Sequence, residues 1–158
     1  MKKRNFVLIV MLFVVCGSIF AESSFDKNTF LNSFLKRMGN SYKEFIKING
    51  KPVKEFDVLM PSKNTVKFLM YPGMQVNIVT ERGLEYLNTI EIFDPSFEIV
   101  PGVSVGANIT EVENIIGKSY KNSGGTYYFG HYNYFITIKT GYDGIVTSIY
   151  IQNGTYLV

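Results

Sequence analysis

The sequence has no tryptophan, one histidine and one cysteine in 158 residues, and each scarcity removes a class of chemistry. A lone histidine leaves one imidazole to act as a base. It lies in Gly130-His131-Tyr132, which reads as a tight turn between aromatic strands. A turn histidine is far more often exposed or stacked than catalytic. One histidine, one cysteine and scattered carboxylates match no zinc-ligand spacing, and no acidic cluster suits calcium. A second cysteine is absent, so no disulfide can staple the chain and packing must hold it. A phosphate-cradling loop is also missing, because Ser123-Gly124-Gly125-Thr126 precedes a strand rather than opening a helix. The 13 acids leave a carboxylate pair for glycoside chemistry open in principle, but no spacing selects one. The expectation is a non-enzymatic chain with no cofactor, no metal and no catalytic residue.

Long apolar runs are scarce as well, except at the start. Lys2, Lys3 and Arg4 precede the apolar stretch Phe6 to Val15, and Gly17, Ser18 and Ala21 follow as small residues. That stretch is far short of the roughly 20 residues needed to cross a bilayer, and it has the form of an export signal. Residues 1–21 are read as a signal peptide, with cleavage after Ala21 releasing residues 22–158. A competing reading is lipidation at Cys16 within Val14-Val15-Cys16-Gly17, although Val15 is bulkier than the small residue that such processing prefers. An uncleaved anchor is the third option. The expected location is therefore outside the cytoplasm: periplasmic, extracellular, or tethered as an outer-membrane lipoprotein.

The signal also accounts for the charge. Basic residues number 16 against 13 acidic ones, and Lys2, Lys3 and Arg4 are the whole excess. The remainder is balanced, which gives no ground for nucleic acid or an anionic membrane as partner. Membrane contact is expected only through a lipid anchor.

What the chain has in abundance is aromatic side chains, 13 Phe and 11 Tyr. Phe30, Leu31, Phe34, Leu35 and Met38 repeat at helical spacing and predict a helix over 27–38, with Asp26 as N-cap and Gly39 past its end. After Gly39 the period changes to two. Residues 42–48 and 51–60 read as strands joined by an Asn49-Gly50 hairpin turn. Strands follow at 66–71, 75–80 and 87–93, punctuated by Pro72-Gly73 and Glu81-Arg82-Gly83. After a break at Asp94-Pro95 come a strand at 97–100, a short helix and strands at 126–129, 133–139 and 145–152. That helix is expected to begin with a capping box from Thr110 to Glu113 and to end at Gly117.

Met38-Gly39-Asn40-Ser41-Tyr42 and Ile116-Gly117-Lys118-Ser119-Tyr120 share a pattern at the two helix ends. Similar element order around them suggests an internal repeat. The fold class expected is α+β, with two tandem helix-plus-antiparallel-meander units at 22–95 and 96–158 around a shared core. Pro101-Gly102-Val103-Ser104-Val105-Gly106, Ile115-Ile116-Gly117-Lys118 and Asp143-Gly144-Ile145-Val146 resemble the SmpA/OmlA (BamE-like) outer-membrane lipoprotein pattern. Two such units in tandem are similar to the β-lactamase inhibitor protein architecture. The resemblance covers about 101–151 well and 27–93 only by analogy. It lacks that inhibitor's disulfide cysteines and the proline after the helix end. It implies the fold and a protein-binding sheet; its rival implication is a lipid-anchored envelope assembly factor.

The binding candidates are Tyr127, Tyr128, His131, Tyr132 and Tyr134, with Met70, Tyr71 and Met74 around Pro72-Gly73. Successive strand residues face opposite sides, so with Phe129 and Phe135 turned inward, Tyr128, Tyr134 or their neighbours must turn outward. Outward tyrosines offer contact area and a polar tip, which suits a protein partner in the envelope or outside the cell; stacking of carbohydrate is the alternative. Tyr is equally a good strand former with no further role.

Overall fold

Apolar residues at every second position from Leu69 onward build strands, and the strands build one sheet. The computed structural model describes residues 27–39, 41–131 and 134–154. Among these, helices α1 (Lys27–Met38) and α2 (Tyr42–Asn49) lead into β1 (Lys54–Leu59), β2 (Thr65–Tyr71), β3 (Met74–Glu81) and β4 (Leu84–Ile92). Helix α3 (Ile109–Ile116) then precedes β5 (Lys121–Ser123), β6 (Thr126–His131), β7 (Tyr134–Thr140) and β8 (Val146–Asn153). The eight strands form a single antiparallel sheet in the order β1-β2-β3-β4-β8-β7-β6-β5, so β4 and β8 meet at its centre.

Register stacks the apolar residues into rows. Leu69, Val76, Ile90, Ile151, Ile136 and Phe129 lie side by side across six strands, and all are buried. The adjacent row runs Tyr71, Met74, Ile92, Ile149, Ile138, Tyr127. Phe34, Leu35 and Met38 of α1, Phe45 of α2, and Val112 and Ile116 of α3 join these rows in one core cluster. Each such side chain contributes about 1.5–3 kcal/mol by leaving water. A register shift at Asn77/Ile78 leaves Asn88 as an extra residue in β4, so Leu87 returns to the core face.

Several expectations are corrected here. Residues 42–48 are helix, not strand. Ser41 accepts from the Glu44 amide at 3.3 Å, and Tyr42, Phe45 and Ile46 turn one side to the core. Gly50, at φ +77°, stops that helix by donating to the Ile46 carbonyl at 2.9 Å. A glycine with positive φ serves a helix end as well as a hairpin, which is why Asn49-Gly50 misleads. Helix α3 starts from Asn108, whose side chain accepts from the Thr110 amide at 2.9 Å. Glu113 does not reach back; it accepts from the Ser119 amide and hydroxyl, at 3.0 and 2.8 Å. Residues 97–100 form no strand beyond one bridge, Val100 with Val103.

These differences overturn the tandem helix-plus-meander architecture. The chain makes a continuous eight-stranded sheet carrying three short helices among the described residues, two before β1 and one before β5. The shared five-residue pattern has two outcomes. After Gly39 the chain enters a second helix; after Gly117 it enters the edge strand β5. Gly39 is there for close packing, since a Cβ on it would lie 2.9 Å from the Glu44 Cβ.

Candidate functional site

The sheet has one face under helices and one face open. Alternation turns Phe56 and Val58 of β1, Val66, Phe68 and Met70 of β2, and Gln75, Asn77 and Val79 of β3 away from the core. Glu91, Tyr150, Gln152, Phe135, Thr137 and Tyr128 continue this open face. None of these residues belongs to the helix-side core cluster. Phe56 is 42% exposed, Met70 39% and Phe135 44%, high values for large apolar side chains.

Two aromatic ends flank a polar centre. At one end Phe56 and Phe68 stack, centroids 5.0 Å apart and planes 6° off parallel, with the Lys54 ammonium 5.7 Å from the Phe56 ring. At the other, Tyr120 and Tyr128 tilt together at 6.4 Å and the Lys121 ammonium lies 5.5 Å from the Tyr128 ring. Between them sit Gln75, Asn77, Thr89, Glu91 and Gln152. Burial raises the Tyr150 phenol above its ordinary pKa, opposed by its hydrogen bond with Thr89 and reinforced by the Glu91 carboxylate. The Asn77 side-chain oxygen is buried without a hydrogen-bond partner in this same centre.

The structure divides the expected binding residues between the faces. Tyr128 and Met70 are on the open face. Tyr127 and Tyr134 are half-buried against the core, and Met74 is buried in it. Tyr71 also faces inward: its hydroxyl donates to the Gly50 carbonyl at 2.8 Å and its ring tilts on Phe45 at 5.6 Å. Burial, with the nearby Tyr42 and Glu55, pushes its pKa to about 12. His131 belongs to strand β6, paired with Tyr134, rather than to a turn. Tyr132 and Cys16 lie outside the described residues. Of the two phenylalanines expected inward, Phe129 is buried and Phe135 points out. Phe56, Phe68, Val58 and Val66 also lie on the open face, and their alternation with Glu55, Asp57 and Lys67 is the sequence signal that marks them.

Those charged neighbours serve the covered side. The Lys67 ammonium bonds the Asp57 carboxylate at 2.6 Å and stands 5.0 Å from the Tyr42 ring, while the Tyr42 hydroxyl donates to Glu55 at 2.9 Å. The group ties α2 to the sheet edge; the Asp57 bond raises the Lys67 pKa. Among the described residues no three His, Cys, Asp or Glu side chains gather into a metal site. No described helix is long and apolar enough to cross a membrane.

The fold has counterparts. It is similar, with a TM-score of 0.55 and 8% identity over 75% of this chain, to an extracellular protein containing an SCP domain from Bacillus anthracis. A cysteine-rich secretory protein from Staphylococcus aureus gives 0.54, with 11% identity over 75% of this chain. A DUF4309 family protein from Bacillus subtilis gives 0.47, with 12% identity over 78% of this chain and 93% of its own. The chain spans 45% and 44% of the first two proteins, less than half of each. No protein-family model matches the chain, and no curated protein matches it in sequence. These likenesses concern the fold alone. With the single sheet, the first two correct the resemblance to the SmpA/OmlA (BamE-like) and β-lactamase inhibitor protein pattern: its short motifs are turn and helix-end signals that other sheets also need.

Proposed function

We propose that the protein is an exported, non-enzymatic binding module that engages another protein through the open face of its sheet. The observation that carries this reading is the exposed set Phe56, Val58, Met70 and Phe135 on a face that no described helix packs against. Rigid strands hold these side chains, so little ordering entropy opposes docking. Aromatic anchors around a polar centre match the composition of protein interfaces, where a few large side chains dominate affinity. Two proteins with this fold are described as extracellular and as secretory, which supports the export signal read at residues 1–21. In both, the matching part is less than half of the chain, in keeping with a module.

The test is site-specific photocrosslinking in cells that make the protein. A benzophenone side chain at Phe135 on the open face is expected to trap one defined protein. The same group at Lys43, exposed on α2 of the covered side, is expected to trap none. Equal adducts from both positions, or none from Phe135, would sink the reading. The intact mass of the mature protein distinguishes a Glu22 N-terminus from a lipidated Cys16.

A further inference from the structure

At the end of the sheet where the β5–β6 and β7–β8 turns meet, on the side to which Tyr127 turns, the structure forms a recess of about 640 Å³. That volume lies within the ~300–1,000 Å³ of small-molecule sites. Tyr127 and Tyr142 supply its aromatic surface, and Gly124, Gly125, Thr140 and Gly144 much of the rest; every lining side chain is uncharged. Tyr142 is fully exposed, so its ring contributes nothing to the core. Gly124 and Gly125 both have positive φ, +56° and +76°, which sharpens the turn and bares its backbone. The amides of Gly124, Gly125 and Tyr142 make no hydrogen bond to any described residue. The Thr140 hydroxyl donates to the Gly125 carbonyl at 3.3 Å and keeps its lone pairs free.

We infer that this recess binds a neutral sugar unit of a glycan. An uncharged lining gives a cation no carboxylate and an anion no basic side chain, and leaves only backbone amides and hydroxyls to hold a ligand. Two tyrosine rings suit the apolar C–H face of a pyranose, and free amides with a threonine hydroxyl suit its oxygens. An extended peptide is a poorer fit, because it needs a row of edge groups and the turns present isolated ones. This site is separate from the sheet face and does not depend on the protein-binding reading.

The purified protein is titrated with chitotetraose and with cellotetraose, by calorimetry and by backbone amide NMR. At least one is expected to bind and to shift the amides of Gly124, Gly125 and Tyr142. Tyr142→Ala is expected to weaken that binding about tenfold or more, equivalent to about 1.4 kcal/mol, while Tyr142→Phe retains it. Lys43→Ala, at an exposed position on α2, should leave it unchanged. Tyr142 supports no packing, so its variants keep the fold, and their amide spectra verify this. Binding of neither sugar at millimolar concentration overturns the inference. So does binding that survives Tyr142→Ala, or a neutral tetra-alanine peptide that shifts the same amides while both sugars fail.

Discussion

The two faces of the sheet are made by the same strands and follow opposite rules. On the covered face, Leu69, Val76, Ile90, Ile151, Ile136 and Phe129 are all buried, and helices close over them. On the open face, Phe56, Met70 and Phe135 keep more than a third of their surface in water, and lysines lie over the aromatic rings at both ends. Stability explains the first set. It does not explain the second, because large apolar side chains left in water add little to folding. The difference teaches where to look for function: in the residues that folding does not need.

The sharpest break of the comparison sets a phenylalanine of α2, packed on the covered face, against one on the open face. Phe45→Ala, at a fully buried site, should cost about 3–5 kcal/mol in urea unfolding. Phe56→Ala should cost only about 1 kcal/mol, the worth of its stack on Phe68. Equal costs would mean that the open face is covered in solution. Next in size is Glu113→Gln on the covered side, where replacing a carboxylate that takes three hydrogen bonds should cost about 1–3 kcal/mol.

The same carboxylate has a pH signature. The Ser119 amide first, then Lys118 and the Ser119 hydroxyl, hold its pKa below the ordinary carboxylate value. A group depressed on folding stabilises fully above its unfolded pKa and loses that contribution as pH falls through the folded one. Acid unfolding of the wild type should therefore include a component that Glu113→Gln lacks, read from stability against pH below about 4.5. A smaller effect separates inward from outward tyrosines. Tyr71, raised from 10.0 to about 12, stabilises fully below pH 10 and loses its contribution between the two values. Tyr71→Phe should flatten stability across that window, monitored with phenolate absorbance. An unchanged profile would show that Tyr71 is wetter than its place under Phe45 implies.

Legibility followed local contrast. Helix α1 was readable because its apolar residues recur at helical spacing, and the turns at Pro72-Gly73, Glu81-Arg82-Gly83 and Asp143-Gly144 because their residues tolerate the required backbone. Helix α2 was not, since Tyr42-Lys43-Glu44-Phe45-Ile46-Lys47 fits either period when residues are read without neighbours. Ser41 and Glu44, three residues apart, were the missed helix-start signal. In the candidate site, Tyr128 lies on the open face while Tyr127, Tyr134 and Tyr71 turn to the core, and the run of aromatics from Tyr127 to Phe135 carries no inside-outside contrast that would separate them in the sequence.

The sequence by itself determined helix α1, most of the strands and the turns at Pro72-Gly73, Glu81-Arg82-Gly83 and Asp143-Gly144, because these depend on residues near one another. Only the tertiary structure decided that β4 pairs with β8, that Phe135 points out while Tyr134 points in, and that the β5–β6 and β7–β8 turns form a recess beside Tyr142. The physical reason is that alternation defines two faces without labelling them. The label comes from which face the helices cover, and that is fixed by packing between segments distant along the chain.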